Sequence, residues 1–444
     1  MKNPLIRMAL GASVPHKKAT ENMQTEAMPI PAKIYLPMSM HIGAACVPCV
    51  QKGDKVFVGS LVGKAENFVS SNIYSSVSGT VEGVTTLMQD NGQLAETVVI
   101  ESDGFATADE DIKPPVVTDR ETFIKAIRES GLVGLGGAGF PTFIKLSPTN
   151  IDKIDTLIIN GAECEPYITA DNREFIECSE DVLAGIELCK TYLGIKKVII
   201  GIERNKPKAI DVMFSLTQGD KTLKVKPLKS HYPQGAEKII IETLTGKKVP
   251  QGGLPSDVGV IVLNVATVSF ISKYIKTGMP LVTKRLTVDG DAVANPKNVL
   301  ARIGTPIGDV LDFCGGFSKP AVKVIMGGPM MGKCAVSTAQ PVTKTCNAIL
   351  AFSEKMAHIP SPQPCIRCGR CILSCPMGLS PVETSDAFKA QDTKLLTKLK
   401  ADLCMECGVC SYVCPAKRPV TQTMSLAKEM QKSAVKKEAN SNGK

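Results

Sequence analysis

The chain has 444 residues, enough for several domains, and its 43% of hydrophobic residues excludes a chain that is disordered throughout. The formal net charge of +9 is modest for this length, and aromatic residues make up only 5%, with no Trp. A nucleic-acid-binding surface usually combines a basic stripe with aromatic side chains, so this composition argues against one.

The sequence predicts no membrane-spanning helix. The most apolar run, between Val258 and Ser272, is interrupted by polar residues and is too short to span a bilayer. No sustained apolar core follows the basic start of the chain, so we expect no signal peptide. We therefore expect a protein in the cytoplasm or at the cytoplasmic face of a membrane.

The N-terminal region predicts a flexible lead followed by a small β domain. Residues 1–28 form the lead, and residues 29–105 contain short apolar runs broken by Gly, Asp and Asn, which is typical of an all-β unit. The segments Val50–Gly59 and Val77–Val81 resemble the barrel-sandwich fold of lipoyl and biotinyl carriers. The stretch Ile73–Val77, which matches the hairpin tip of those carriers, lacks their modifiable Lys. We expect an unmodified barrel-sandwich domain with a structural or docking role.

The middle of the chain predicts an α/β domain over residues 116–280. Thr118 and Glu121 have capping-box spacing and predict a helix that ends near Gly131. Short apolar runs predict buried strands, and helical patterns lie between them; the runs are Leu157–Ile159, Val198–Ile200 and Leu223–Val225. This alternation predicts a parallel sheet covered by helices. Residues 281–350 then predict a smaller mixed α/β module and a connector.

Two identical cysteine arrays lie in the C-terminal region, residues 355–427, of a chain with 16 Cys. Each array reads C-x2-C-x2-C-x3-C-P, the spacing that binds cubane iron–sulfur clusters, and in two-cluster proteins the fourth Cys serves the other cluster. We therefore assign cluster one to Cys365, Cys368, Cys371 and Cys414, and cluster two to Cys404, Cys407, Cys410 and Cys375. The alternative is structural zinc, which usually takes two C-x2-C pairs and fits this spacing poorly. A helix-rich two-[4Fe-4S] domain is expected, followed by a basic tail at 428–444.

A glycine-rich loop with the pattern G-x-G-x-x-G lies after the first predicted helix. It contains Gly134, Gly136, Gly137, Ala138, Gly139 and Phe140. A dinucleotide fingerprint should follow a strand, so this loop is not expected to be a Rossmann turn of the usual kind. Its glycines still let backbone amides approach a phosphate or a flat ring closely, and Lys145 could neutralise a phosphate.

Four segments, in order, resemble the NADH-binding flavoprotein subunits of respiratory complex I. They are the loop up to Lys145, the segment Asn160–Pro166, the segment Tyr232–Glu237 and the segment Leu263–Thr267. The resemblance implies that the loop binds FMN and that further flavin or nicotinamide contacts come from Asn160, Glu163, Glu165, Tyr232, Gly235, Glu237 and Asn264. Leu135, Ala162 and Ala236 depart from that family's pattern and leave the nicotinamide contacts less defined.

The whole chain resembles a closer family, the C subunits of Rnf complexes, which are ion-pumping ferredoxin:NAD+ oxidoreductases. The resemblance implies a multidomain α/β protein with a barrel-sandwich domain, a Rossmann-like FMN/NADH domain, a soluble-ligand-binding β-grasp module and a dicluster ferredoxin domain. It implies FMN, NAD(H) and two [4Fe-4S] clusters, no catalytic acid or base, and integral-membrane and ferredoxin-like partner subunits that hold the chain at the cytoplasmic face. Two alternatives are a flavin-dependent cobalamin reductase, whose flavin domain comes first, and a non-catalytic iron–sulfur scaffold.

Overall fold

The computed structural model describes residues 11–89 and 92–442, with the side chains of residues 436–442 left undescribed. The described strands form a six-stranded sheet, two four-stranded sheets and a three-stranded sheet. The first strand, β1 (Thr25–Ala27), belongs to a sheet built mainly from the second half of the chain.

The N-terminal β unit is formed by two small antiparallel sheets. Their strands are β2 (Lys33–Pro37), β3 (Val47–Pro48), β4 (Lys55–Val56), β5 (Leu61–Lys64), β6 (Ile73–Tyr74), β7 (Gly79–Met88) and β8 (Leu94–Ser102). One sheet has the order β2-β8-β7-β4 and the other β3-β5-β6. Apolar side chains of both sheets, such as Ile34, Val62 and Ile100, are fully buried in one core. The predicted all-β unit is therefore present.

A parallel four-stranded sheet forms the centre of the molecule. Its strands are β9 (Thr156–Gly161), β10 (Lys197–Glu203), β11 (Leu223–Leu228) and β12 (Val260–Asn264), in the order β11-β10-β9-β12. The helices are α1 (Arg120–Glu129), α2 (Thr142–Leu146), α3 (Ala170–Glu177), α4 (Ser179–Leu193), α5 (Pro207–Leu216), α6 (Glu237–Thr245) and α7 (Val265–Thr277). Two 3-10 turns lie at Ile151–Lys153 and Pro255–Val258.

Both faces of this sheet are covered. Leu157 and Ile159 pack in a cluster with residues of α4, α5 and α7, whereas Ile158 packs in another cluster with residues of α6. Strands buried on both faces read as continuous apolar runs, which is why the sequence predicted them from short apolar stretches.

A six-stranded mixed sheet follows, in the order β1-β14-β13-β17-β15-β16. Its later strands are β13 (Thr283–Asp289), β14 (Lys297–Arg302), β15 (Ala321–Met326), β16 (Lys333–Cys334) and β17 (Ala348–Ser353), with helices α8 (Ile307–Phe313) and α9 (Glu354–Ala357). Ile307, Val310 and Leu311 of α8 share a buried core with this sheet.

The expectation of a flexible lead over residues 1–28 is wrong for its described part, residues 11–28. β1 pairs in parallel with β14, and the ammonium of Lys18 donates to the carbonyls of Glu163 at 3.0 Å, Glu165 at 2.8 Å and Ile168. Thr20 is fully buried and bonds to Thr169. Residues 1–10 of the predicted lead lie outside the described residues. The segment is polar, but it is ordered because its polar groups form hydrogen bonds with the parallel-sheet domain.

The C-terminal unit is helical. It contains α10 (Arg370–Leu373), α11 (Pro381–Lys389), α12 (Thr393–Lys398), a 3-10 turn at Ala401–Leu403, α13 (Val409–Tyr412) and α14 (Val420–Asn442). The last helix runs on through most of the predicted basic tail, 428–444, and Ala427 packs in a core with Ala387 and Leu396. Lys428 bonds to the Cys404 carbonyl and to Glu406, so the tail begins as part of this unit.

Candidate functional site

The glycine-rich loop connects α1 to α2, and hydrogen bonds from other elements hold its backbone in place. The Leu135 amide donates to the Thr267 hydroxyl at 3.0 Å, and the buried ammonium of Lys284 donates to the Leu135 carbonyl at 3.1 Å. Within the loop, the Gly134 amide bonds to the Phe140 carbonyl at 2.9 Å. The tip, Gly136 to Ala138, is exposed. The loop is therefore a fixed turn with an open tip.

The loop lies beside the place where the strand order of the parallel sheet reverses. β10 and β11 lie on one side of β9, and β12, the fourth strand, lies on the other. Asn264 ends β12 and is the register partner of Asn160, the second-to-last residue of β9. A Cβ on Gly136 would come within 3.2 Å of the Asn264 side chain. Ligands of open parallel sheets bind beyond the carboxyl ends of the strands at such a reversal.

Open space faces the loop at Gly137. This residue has φ +115°, and a Cβ built there would meet only the Asn347 amide nitrogen, at 3.9 Å. The Asn347 Oδ1 atom is buried and lacks a hydrogen-bond partner among the described residues. At Gly139, by contrast, a Cβ would lie 2.7 Å from the Thr345 methyl group. A backbone that leaves room at one glycine, beside an unsatisfied amide, fits a flat ligand with its own polar edge.

Glu163, a predicted site residue, is almost completely buried. It is 7% exposed; its Oε1 atom accepts from the Asp171 amide at 2.7 Å, and its Oε2 atom has no hydrogen-bond partner among the described residues. The Lys206 ammonium lies 4.0 Å from Oε2. Burial raises the pKa of Glu163 to about 7, against the opposing effect of Lys18 and Lys206.

Glu165 has a different role. Its carboxylate accepts from the amides of Met330 at 3.0 Å and Met331 at 2.9 Å, which hold the turn between β15 and β16. Burial raises the pKa of Glu165 to about 7 as well, although these two bonds favour its charged form. Glu165 therefore joins the parallel-sheet domain to the next sheet, and both its oxygens are used.

Lys145 and Glu237, both predicted site residues, lie together. The Lys145 ammonium is 2.5 Å from Glu237 Oε1, and both side chains are about one-third exposed, 31% and 38%. Asn160 donates to the Gly235 carbonyl at 2.8 Å, so the predicted segments are connected to one another. A Cβ at Gly235 would lie 2.4 Å from the Ala162 carbonyl oxygen, which explains the glycine there.

Tyr232 requires a correction. The resemblance implied that it contacts the nucleotide, but its side chain is 1% exposed and its hydroxyl donates to the Cys407 carbonyl at 2.7 Å. Tyr232 packs in one apolar cluster with Ala12, Cys164, Cys407 and Val409. Its position at the junction with the second cysteine array leaves it without access to a nucleotide in this structure.

The cysteines of the two arrays line two separate cavities. The first has about 420 Å³ of empty space, part of it open to solvent, and the second about 350 Å³. Cys365, Cys368, Cys371 and Cys414 line the first, and Cys375, Cys404, Cys407 and Cys410 line the second. The fourth cysteine of each array therefore lies with the first three of the other, which is the exchange that the sequence predicts.

Each of these donor sets is the four-cysteine set that a cubane takes, with three ligands from one array and the fourth from the other. Among residues 11–89 and 92–442, no three His, Cys, Asp or Glu side chains converge tightly enough to hold one metal ion. Burial raises the pKa of Cys407 to about 12 and of Cys410 to about 11, so binding of iron there would displace protons.

Several residues around the glycine-rich loop were not predicted from the sequence. Lys284, Asp171 and Asn347 all lie against the loop or its Asn264 neighbour; Asp171 accepts from Asn264 at 2.7 Å. Lys284 and Asn347 come from the six-stranded sheet and its connector, which the sequence assigned to another domain. The sequence signal for these contacts was Lys284, a lysine within a predicted strand, and such a lysine does not by itself indicate a contact with the loop.

Comparison with known protein families accounts for most of the chain. The matches are the RnfC barrel sandwich hybrid domain at residues 6–105, the Nuo51 FMN-binding domain at 127–273, the SLBB domain at 285–333 and the 4Fe-4S dicluster domain at 364–417. The order of the four is the order predicted from the sequence.

Three relatives cover most of the chain. The C subunit of the proton-translocating ferredoxin:NAD(+) oxidoreductase complex of Clostridium ljungdahlii is 45% identical over 82% of this chain and 80% of its own length. The C subunit of the Na(+)-translocating complex of Acetobacterium woodii is 44% identical over 80% and 81%. The C subunit of the ion-translocating oxidoreductase complex of Rhodobacter capsulatus is 37% identical over 93% and 80%. This chain belongs to the family of Rnf complex C subunits.

The cofactors of this Rnf-family protein are FMN and two [4Fe-4S] clusters, because the matched domains are the FMN-binding and dicluster domains. In fold it resembles a chain of the NAD+-reducing [NiFe]-hydrogenase in the H2-reduced state, with a TM-score of 0.50 and 19% identity. That match covers 70% of this chain and 63% of the other, and at this identity it concerns the fold alone. No helix in the described part of the protein is long and apolar enough to cross a membrane.

Proposed function

We propose that this protein exchanges electrons between NAD(H) and the partner subunits of an ion-translocating ferredoxin:NAD+ oxidoreductase complex. Bound FMN accepts or donates the two electrons of a hydride and can pass them singly to iron–sulfur clusters. The relatives' names support the activity, and the matched domains support the cofactors. The chain's own residues bind, orient and separate these groups.

The proposed flavin site lies between the glycine-rich loop and the ends of β9 and β12. Gly136, Gly137, Ala138 and Gly139 would place backbone amides against it, and Asn264 and Asn347 would contact its polar edge. The Lys145–Glu237 pair, about one-third exposed, would present one positive and one negative charge beside the flavin. Glu163, with one oxygen that lacks a hydrogen-bond partner among the described residues, is the acidic side chain that we propose for the nicotinamide side.

One observation carries the link between the flavin site and the clusters. Tyr232, which follows the parallel sheet's third strand β11, donates its hydroxyl to Cys407 of the second cysteine set. The flavin domain and the second cavity therefore share one buried contact. This contact supports electron exchange between bound flavin and the second cluster, which the scaffold alternative does not include.

The experiment is anaerobic addition of NADH to the reconstituted full-length protein, followed by absorbance and EPR. We expect about one FMN, eight irons and eight sulfides per chain, with bleaching of the flavin and then of the iron–sulfur bands. Stoichiometric clusters without flavin, or without reduction by NADH, would favour the scaffold. Membership of the Rnf family, with a β domain before the flavin domain, argues against a cobalamin reductase.

We also propose the finer fold and boundaries. The strand order β11-β10-β9-β12 supports a Rossmann-like domain over 116–280, and the SLBB match supports a β-grasp module within 281–350. The barrel-sandwich domain at 29–105 and the dicluster domain at 355–427 complete the division. Limited proteolysis that cuts preferentially within 103–115 or 354–364 would support these boundaries.

We place the protein at the cytoplasmic face of the membrane, held there by its partner subunits. The family supports membrane association, and no described helix could span a membrane. Washing membranes with high salt, in cells with and without the integral-membrane subunits, tests this. Retention of the protein after the wash in cells that lack those subunits would contradict it.

A further inference from the structure

The two cysteine sets differ sharply in exposure. In the second set, Cys407 is 7% exposed and packs under the Tyr232 hydroxyl. In the first set, Cys365 and Cys368 are exposed, and every residue from His358 to Cys368 is exposed. One cavity therefore faces the flavin domain, and the other faces solvent along an irregular segment.

The exposed cavity is surrounded by cations. Arg370 and Arg418 line it, Arg367 is 80% exposed, and Lys417 is exposed beside Arg418. The stretches 358–373 and 411–420 contain no Asp or Glu. Asp386 lies 3.6 Å from Arg367 and is the carboxylate that pairs with it. Ile366, 69% exposed, adds an apolar centre.

We propose that this surface, which we call the cluster-one surface (Ile366, Arg367, Arg370, Lys417 and Arg418), docks an iron–sulfur electron-carrier subunit with an acidic rim. The proposal rests on the proposed function and specifies where electrons leave or enter the chain. Opposite charges around two redox centres bring them together quickly and release them readily. Docking itself changes no bond, and each electron lost by one centre is gained by the other.

The cations could instead serve only to offset the negative charge of the cluster itself. Arg370 and Arg418 line the cavity and could do so, but Arg367 and Lys417 do not line it. These two residues point to a partner, because charges outside the cavity contribute less to the cluster and remain open to solvent. Substitution of Arg367 and Lys417 can therefore test partner docking separately from neutralisation of the cluster's charge.

The test uses the reconstituted full-length protein and a small acidic two-[4Fe-4S] ferredoxin as the probe. Arg367→Glu with Lys417→Glu should raise the Kd for the probe about tenfold or more at low salt and flatten its salt dependence. Iron content and the EPR signals of both clusters should remain unchanged. Arg367→Lys with Lys417→Arg, which keeps both charges, should bind as the unaltered protein does.

Lys221→Glu with Lys224→Glu is the matched control, since both lysines are exposed on or next to β11, outside the C-terminal unit. An unchanged Kd for the Arg367/Lys417 variant, or an equal rise in the control, would overturn the proposal. Vesicles of phosphatidylglycerol and phosphatidylcholine form a second arm: a variant that loses vesicle binding but keeps the probe would assign the surface to lipid instead. Binding is measured without NADH, so a protein that NADH fails to reduce would refute the proposed function and leave this test valid.

Discussion

At the scale of single residues, Gly137 is the position where a side chain would enter the proposed flavin site without striking the protein. Its φ of +115° would strain any L residue by about 1–2 kcal/mol, and its Cβ would point into open space. We expect Gly137→Val to lose FMN while keeping both clusters, as measured by flavin fluorescence and iron analysis.

Gly219 gives a control for that substitution. It also has positive φ, +89°, and a Cβ there would meet nothing within 4 Å. Gly219→Val should therefore carry a similar backbone strain and keep its FMN. Stoichiometric FMN and normal NADH-driven cluster reduction in the Gly137→Val protein would show that the flavin binds elsewhere.

The exchange of the fourth ligand is tested at Cys414 and Cys375. Because Cys414 lies with the first three cysteines of the other array, Cys414→Ser should alter the EPR signal of the exposed cluster. Cys375→Ser should alter the signal of the buried one. Both variants should keep their FMN. The reverse pairing of variant and signal would contradict the exchange.

Lys344 predicts a pH dependence of stability. Its buried ammonium donates to the carbonyls of Asn72 at 2.5 Å and Gly131 at 2.7 Å, and burial lowers its pKa from 10.5 to about 7. Between these pH values the unfolded chain holds a proton that the folded chain has lost, so stability rises with pH. The slope is at most about 1.4 kcal/mol per pH unit.

Lys344→Met removes this dependence. The free energy of unfolding of the unaltered protein, minus that of the variant, should therefore grow from pH 7 to pH 10 in urea titrations. A difference that stays level, or shrinks, over this range would show that Lys344 remains charged in the folded protein.

At the scale of elements, helix α1 shows how local sequence rules can miss by one residue. Thr118 and Glu121 have capping-box spacing, but Asp119 is the N-cap, and its carboxylate accepts from the Thr122 amide while the Thr122 hydroxyl accepts from the Asp119 amide. We expect Asp119→Ala to lower the melting temperature more than Thr118→Ala does. Equal effects would indicate that the cap is not this reciprocal pair.

The elements that the sequence predicted share one property: their signal is local. Strands buried on both faces appear as apolar runs, and helix α4 buries Val182, Ile186 and Cys189, which follow helical spacing. The described part of the N-terminal segment was mispredicted because β1 pairs with β14, and Lys18 bonds to carbonyls, far along the chain. No spacing within a short window encodes such a partner.

The candidate site divides in the same way. The grouping of the cysteines was predicted from their spacing alone, because the geometry of a cubane cluster determines the spacing of its cysteine ligands. Asn347 and Lys284 were not predicted, because they reach the glycine-rich loop from another domain. Tyr232 was assigned to the nucleotide because a motif identifies a residue type and its neighbours but not the surface that covers it.

At the scale of the whole molecule, the domains form a path from the glycine-rich loop to the exposed cysteine set. Residues 11–18 cross this path: the Gly11 amide bonds to the Ser374 carbonyl, Ala12 pairs with Tyr232, and Lys18 bonds beside Glu163. The N-terminal segment thus connects the cluster unit to the flavin unit. It fixes the relation of the two units, which neither unit determines alone.

Tyr232 contacts both the N-terminal segment, through Ala12, and the cluster unit, through Cys407. Burial raises the pKa of Tyr232 far above its usual value, so the hydroxyl remains a donor to the Cys407 carbonyl at any ordinary pH. Tyr232→Phe leaves that buried carbonyl without its partner, at a cost of about 1–3 kcal/mol. We expect the contact between the two units to loosen, and NADH-driven reduction of the clusters to slow severalfold in stopped-flow absorbance. FMN and iron contents should stay the same, as should reduction by dithionite, which reaches the clusters directly.

Tyr192→Phe is the control, because its hydroxyl bonds to the Val117 carbonyl at 3.1 Å, away from the clusters. Unaltered kinetics in Tyr232→Phe, or equal slowing in Tyr192→Phe, would mean that the junction does not set the rate between flavin and clusters.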